Sequence, residues 1–295
     1  MTILEALSWG QAQIKETENE KPKGRHNAKL DAQILLSHIL EKPTSFIFAH
    51  IDEILTDKQI DKYQRLVARR RRHEPVAYIL GEQEFYSRSF IVNQNVLVPR
   101  PDTELMIDEA LARRQEDPVI LDIGTGSGAI AVTLSKELDT ELIAIDIDPD
   151  ALAVAKQNAK KHGVQNKISF MQGNLLEPYL KKQIDLSRGD NYVLILANLP
   201  YLTIASWGTL DPDVRNYEPK RALIAGVDGL DFYDELLSQI KSKRNLFPKK
   251  TEIMMEIDPH QELTLPRLIK EHFEGAVVTL KNDLANRPRL VIAKI

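Results

Sequence analysis

The segment "VILDIGTGSGAIA", Val119 to Ala131, passes from an aliphatic run through three glycines on alternate positions into a stretch with helical spacing. Gly124, Gly126 and Gly128 let a backbone turn tightly and approach a ligand with no side chain in between. Strand, glycine turn and helix start follow each other in the order that holds a nucleotide-type cofactor. With Ala129 the run also satisfies G-x-G-x-x-A, and Asp146 follows at about the distance expected of a ribose-binding acid. The glycines alone leave a dinucleotide enzyme open.

Downstream of these glycines, short apolar runs alternate with helical stretches. "VILDIG", "ELIAID", "KISFMQ", "YVLILAN" and "EIMMEI" read as strands, and "SGAIAVTLSKEL" and "PDALAVAKQNAKKHG" as helices between the first three. Such alternation implies an α/β fold with a mostly parallel sheet and helices on its faces, its ligand at the C-terminal ends of the strands. The tail "VVTLKNDLANRPRLVIAKI" reads as a closing strand pair. Upstream the pattern is helical: Ala32, Leu35, Leu36, Ile39 and Leu40 share one face, and Ile60, Tyr63 and Val67 another. We expect a helical bundle over 1–75, a hairpin linker over 76–100, where "EFYSRSFIVNQNVLVPRP" alternates, and a cofactor-binding domain over 101–295.

Composition narrows the class. The 295 residues are 43% hydrophobic and 28% charged, with no cysteine, which removes disulfide scaffolds, thiolate metal sites and thiol nucleophiles. The seven histidines form no ligand-spaced cluster, so no metal is implied. No apolar run approaches the roughly 20 residues that span a bilayer, and the acidic start is unlike a signal or transit peptide, so a cytoplasmic protein is expected. A net charge of −4 argues against coating of nucleic acid by bulk charge. The first 75 residues carry 13 Lys and Arg against 11 Asp and Glu. Within them Arg69 to Arg72 reads either as a docking patch or as a solvated helix C-terminus.

Two features turn the cofactor reading toward S-adenosylmethionine. Asp122, just before the glycines, would repel a pyrophosphate but favour the ammonium and sulfonium of the methionine moiety. The second strand ends in "AIDIDPDAL", so Asp146 can accept both ribose hydroxyls while Ile147 packs on adenine, and Asp148 is better placed to cap the next helix. The third strand leads to Asn174, within reach of the adenine amino group, and Leu175. Gly124, Thr125, Gly126, Ser127 and Gly128 form the loop.

The fourth strand stops in "NLPY", Asn198 to Tyr201. Asn and Pro are common turn residues, but beside a donor methyl group the four acquire a chemical use. An amide or exocyclic amine is a poor nucleophile because its lone pair is delocalised, and carbonyls that accept its N–H hydrogens would aim that lone pair at the methyl. Asn198 offers a side-chain carbonyl, Leu199 a backbone carbonyl before Pro200, and Tyr201 a ring to stack on the target. Since Leu199 contributes only backbone, proline is expected to be tolerated there, provided the Leu199 N–H has no buried partner.

Together "RRRRHEPVAYILGEQEFY", "VLVPRPDTELMIDEAL", "LDIGTGSGAIA", "AIDIDPDALAVAKQNA", "LANLPYL", "VRNYEPKRALIAGVDGLDFY" and "NDLANRPRLVIAKI" resemble the HemK/PrmC protein-(glutamine-N5) methyltransferases across almost the whole chain. The resemblance implies a Rossmann-like, S-adenosylmethionine-dependent methyltransferase with a mostly parallel seven-stranded sheet and an N-terminal helical domain that engages peptide chain release factors. It implies methylation of the Gly-Gly-Gln glutamine by a monomer, with no direct need for nucleic acid or membrane. Asn198, Leu199, Pro200 and Tyr201 would hold the glutamine, and Asp122, the glycine loop, Asp146, Ile147, Asn174, Leu175 and Asn198 the cofactor. The family usually has Asn-Pro-Pro-Tyr at 198–201, an acid at Asn174 and often an aromatic residue at Leu175. Asn-Leu-Pro-Tyr also occurs in ribosomal RNA adenine methyltransferases, but those differ in the glycine loop and carry their extra domain after the catalytic one. A non-catalytic ribosome-associated module is opposed by the intact glycines, Asp146 and Asn198.

Overall fold

The computed structural model describes residues 1–15, 27–184, 186 and 192–295. The chain forms two compact units, Met1–Glu82 with Thr209–Glu218, and Gln83–Gly208 with Pro219–Ile295.

The first unit begins with helices α1 (Ile3–Lys15), α2 (Ala28–Leu40), α3 (Thr44–Ala49), α4 (Asp57–Arg70) and α5 (Val76–Leu80). Asn27 caps α2, and Thr56 with Gln59 forms a capping box on α4, so both starts have partners for their free N–H groups. The expected apolar faces meet: Ala32, Leu35, Leu36, Tyr63 and Val67 are buried together. The Tyr63 hydroxyl donates to the Ala32 carbonyl at 3.2 Å. The basic run splits at the end of α4. Arg70 turns inward, its Nε 2.7 Å from the Asp31 carboxylate, and Arg69 pairs with Glu74, its Nε at 2.8 Å. Arg69 and Arg70 are thus tied to carboxylates of their own unit, which neither a free docking patch nor a solvated face would require.

Residues 76–100 hold α5, closed by Gly81 at φ +78°, and then a hairpin of β1 (Glu82–Phe85) and β2 (Arg88–Ile91). Tyr86 and Ser87 both have positive φ, as a tight hairpin turn demands. The second unit continues with α6 (Glu104–Leu111), β3 (Val119–Ile123), α7 (Ala129–Leu138), β4 (Leu142–Asp146), α8 (Pro149–Lys161), β5 (Ile168–Gln172), α9 (Glu177–Lys181) and β6 (Tyr192–Ala197). Helix α10 (Pro212–Tyr217) returns to the first unit, where the Tyr217 hydroxyl donates to the Arg72 carbonyl at 2.8 Å. The second unit closes with α11 (Asp231–Ser242), β7 (Lys250–Glu256), α12 (Thr264–His272), β8 (Val277–Asn282) and β9 (Pro288–Lys294).

The seven strands β3 to β9 form one sheet in the order β5-β4-β3-β6-β7-β9-β8. β3 to β7 run parallel, and β9 pairs antiparallel with β7 and β8. Helices on both sheet faces explain why the central parallel strands are mostly apolar. Along β3, Leu121 and Ile123 enter the core with Tyr233 and Leu236 of α11 and Leu265 of α12, while Ile120 enters that with Ile107 of α6 and Val132 of α7. The chain leaves β3 to make β4 on one side and later places β6 on the other, which opens a crevice above the C-terminal end of β3.

Candidate functional site

The glycine loop is hung from the strand beside it. The Gly124 and Thr125 N–H groups both donate to the Ile145 carbonyl of β4, at 2.8 and 3.0 Å. Gly124 has φ +71°, and a Cβ there would stand 2.8 Å from Leu199 Cδ2. Gly128, at φ +78°, lies against Ala155 of α8, 3.1 Å from its Cβ to an added one. Two of the glycines are therefore demanded by packing neighbours as well as by the turn.

A cavity of about 320 Å³ opens over this loop within the second unit. Gly124, Thr125, Gly126, Ser127, Asp146, Ile147, Asn174, Leu175, Asn198, Leu199 and Pro200 line it, so the ends of β3, β4, β5 and β6 converge as expected. Asp122, Gly128 and Tyr201 do not line it. Asp122 is fully buried, its Oδ2 accepting from Thr125 Oγ1 at 2.6 Å and the Ala131 N–H at 3.2 Å. Burial pushes its carboxyl up to about 7, against the pull of those two donors. The expectation that its charge faces the methionine moiety is corrected: strand alternation turns this side chain under the loop, where it ties loop to helix.

Asp146 ends β4 with Oδ2 accepting the Gly126 N–H at 2.8 Å and Oδ1 the Asp148 N–H at 2.9 Å. Burial holds its carboxyl above the usual range, while the Gly126 N–H and Arg221 pull it down. Asp148 caps α8 and pairs with Arg221, itself in the cavity wall. Ile147 is 60% exposed, an apolar surface left open to a ligand. Asn174 gives its Nδ2 hydrogen to the Glu235 carboxylate of α11, which leaves Oδ1 as the accepting end of the amide.

The strand-end amide has two partners that the sequence reading missed. Asn198 Nδ2 donates to Thr103 Oγ1 at 3.1 Å and to Glu256 Oε2 at 3.0 Å. Thr103 gives its own proton to Glu256 Oε2 at 2.6 Å, and the Tyr201 hydroxyl donates to Glu256 Oε1 at 3.2 Å. Glu256, 2% exposed at the end of β7, is raised by burial and lowered by Thr103 and Arg289. Burial likewise lifts the Tyr201 phenol well above its ordinary range, so it stays a neutral phenol with no base form to take a proton. Leu199 carries more than a carbonyl: its buried side chain fills the space against Gly124. A signal for Glu256 was present, since "EIMMEI" closes an aliphatic strand on a polar residue as "ELIAID" and "YVLILAN" do.

A methyltransferase domain model matches residues 115–277, and a PrmC N-terminal domain model matches 5–81. With the sheet order and the crevice at its switch point, the second unit defines an S-adenosylmethionine-dependent methyltransferase. A release factor glutamine methyltransferase of Bacillus cereus is 33% identical over the full length of both chains, and one of Geobacter sulfurreducens 39% identical over 79% of this chain and 76% of its own. The chain belongs to the release factor glutamine methyltransferase family. Among solved structures, the hMettl16 catalytic domain superposes with a TM-score of 0.55 at 14% identity, covering 88% of this chain and 90% of that one, a likeness of fold.

Proposed function

We propose that the protein transfers a methyl group from S-adenosylmethionine to the side-chain nitrogen of the glutamine in the Gly-Gly-Gln loop of peptide chain release factors. The observation that carries the reading is convergence: Asn198, Leu199 and Pro200 line the same cavity as the glycine loop and Asp146.

The cavity fits this cofactor. The Asp146 carboxylate has about four acceptor positions. Two take backbone N–H groups, so two remain for a ribose diol. Ile147 and Leu175 offer apolar surface to a purine, and Asn174 Oδ1 an acceptor to its amino group. S-adenosylmethionine, when bound, supplies an electrophilic methyl on a sulfonium. The chain's own task is to present the nucleophile: Asn198 Oδ1 and the Leu199 carbonyl accept the two hydrogens of the glutamine amide and hold its lone pair in line. The nitrogen becomes cationic as it is methylated and then loses a proton, which passes to water rather than through the Tyr201 phenol.

The match of a PrmC N-terminal domain supports a release-factor-engaging role for the helical unit. The test is transfer of labelled methyl to a release factor, to the same factor with its Gly-Gly-Gln glutamine replaced by alanine, and to ribosomal RNA. Label on the first alone is the expected result. Equal label on the replaced protein, or label on RNA, would overturn the reading.

A further inference from the structure

A carboxamide can be seated in two ways, with its oxygen or its nitrogen toward a target, and only one of them suits a target that must give up hydrogens. At Asn198 the choice is enforced from behind. Were the amide reversed, its oxygen would stand 3.0 Å from the Glu256 carboxylate, two acceptors with no hydrogen between them. Thr103 cannot relieve this, because its proton is already given to Glu256 at 2.6 Å and it presents only a lone pair to Asn198. Glu256 is almost fully buried, so water does not compete for these bonds. We propose that Glu256, directly and with Thr103, is the positioning residue that holds the Asn198 oxygen available to the target and thereby makes the site select a carboxamide over a carboxylate.

The inference rests on the proposed target but separates from it. A glutamate in place of the target glutamine offers no N–H to Asn198 Oδ1 or the Leu199 carbonyl, and its charge would approach acceptors backed by a buried carboxylate. Removal of the Glu256 side chain frees the Thr103 proton to face the Asn198 oxygen, so the amide loses its fixed sense. Glu256→Gln keeps the shape but not the constraint, since its NH2 can turn toward a reversed Asn198 oxygen while its own oxygen still accepts from the Tyr201 hydroxyl.

The experiment measures kcat and KM on a release factor carrying glutamine or glutamate at the target position, with S-adenosylhomocysteine affinity as a second readout. Glu256→Ala should lose about 100-fold in kcat, the scale of a misplaced reactant. Its S-adenosylhomocysteine affinity should stay within about threefold of the parent. Glu256→Gln should keep S-adenosylhomocysteine affinity and fall between the parent and Glu256→Ala in kcat, and Thr103→Val should lose less than Glu256→Ala, because Glu256 alone still forbids the reversed amide. The parent should reject the glutamate factor. A Glu256→Ala enzyme as fast as the parent, a Glu256→Gln enzyme as fast as the parent, or a parent that methylates the glutamate factor would overturn the proposal. Glu256→Leu, of similar bulk and no charge, replaces Glu256→Ala if that variant fails to fold. If neither folds, the kcat of Glu256→Gln decides, and a value equal to the parent's overturns the proposal. Absence of label from the parent enzyme on the glutamine factor would instead refute the target reading.

Discussion

Asp146→Asn removes one charge at nearly constant shape, at the residue through which β4 meets the cofactor cavity. Its two oxygens take the Gly126 and Asp148 N–H groups at 2.8 and 2.9 Å, which leaves one acceptor position on each for a ribose hydroxyl. Asparagine keeps one oxygen. Its nitrogen must then face either a backbone N–H or a ribose hydroxyl that needs an acceptor. At least one charge-assisted bond to the cofactor is lost, worth about 1.5 to 3 kcal/mol. At about 1.4 kcal/mol per decade this is a weakening of roughly 10- to 150-fold. Stability should move far less, because burial already holds the Asp146 carboxyl above its ordinary range. Loss of the charge relieves that desolvation and offsets the lost backbone bond. Calorimetric titration with S-adenosylhomocysteine, paired with a thermal melt, measures both. An affinity within about threefold of the parent would remove Asp146 from the ribose site. A melt lowered by more than about 4 °C, roughly 1 kcal/mol, would make it a structural residue first.

Asn198→Ala should retain cofactor affinity while single-turnover rates fall by about 100- to 1,000-fold, as when a preorganised polar contact is deleted; near-normal rates would leave the amide a turn residue. Gly128→Ala must place a Cβ 3.1 Å from that of Ala155 at φ +78°. Its strain of about 1 to 2 kcal/mol should appear as a lower melting temperature. Leu199→Pro shortens a buried side chain and opens space against Gly124. It should destabilise by about 1 to 2 kcal/mol, measured by urea unfolding, and a neutral result would restore the simpler view of this position. Asp122 provides the pH test. Its carboxyl is raised from 3.8 to about 7 in the fold, so its contribution to stability is fully present below the unfolded value and is lost as pH rises through 7. Asp122→Asn can still accept from Thr125 and Ala131. It should gain on the parent by a few kcal/mol between pH 5 and pH 8 in urea unfolding. Cofactor affinity should be unchanged, and a marked fall would return the charge to the ligand.

Local pattern determined much of this protein. The aliphatic runs before Gly124, Asp146 and Asn198 are strands because a parallel sheet covered on both faces admits little else, and the alternation with amphipathic helices imposed the sheet's direction. The four strand-end positions could be read as one site for the same reason, since parallel strands bring their C-terminal ends to a single edge. Orientation about each strand was a different matter. Asp122 is one residue from the loop in sequence, yet alternation turns it under the loop, and Gly128 is turned onto Ala155. Glu256 and Thr103 lie 58 and 95 residues from Asn198 along the chain, and no local rule joins them. Hydrogen bonds between side chains depend on distances of a few tenths of an ångström set by how strands and helices pack. The chemistry available at the end of each strand was legible in the letters, but which atom of each group is free to use it was decided by the fold.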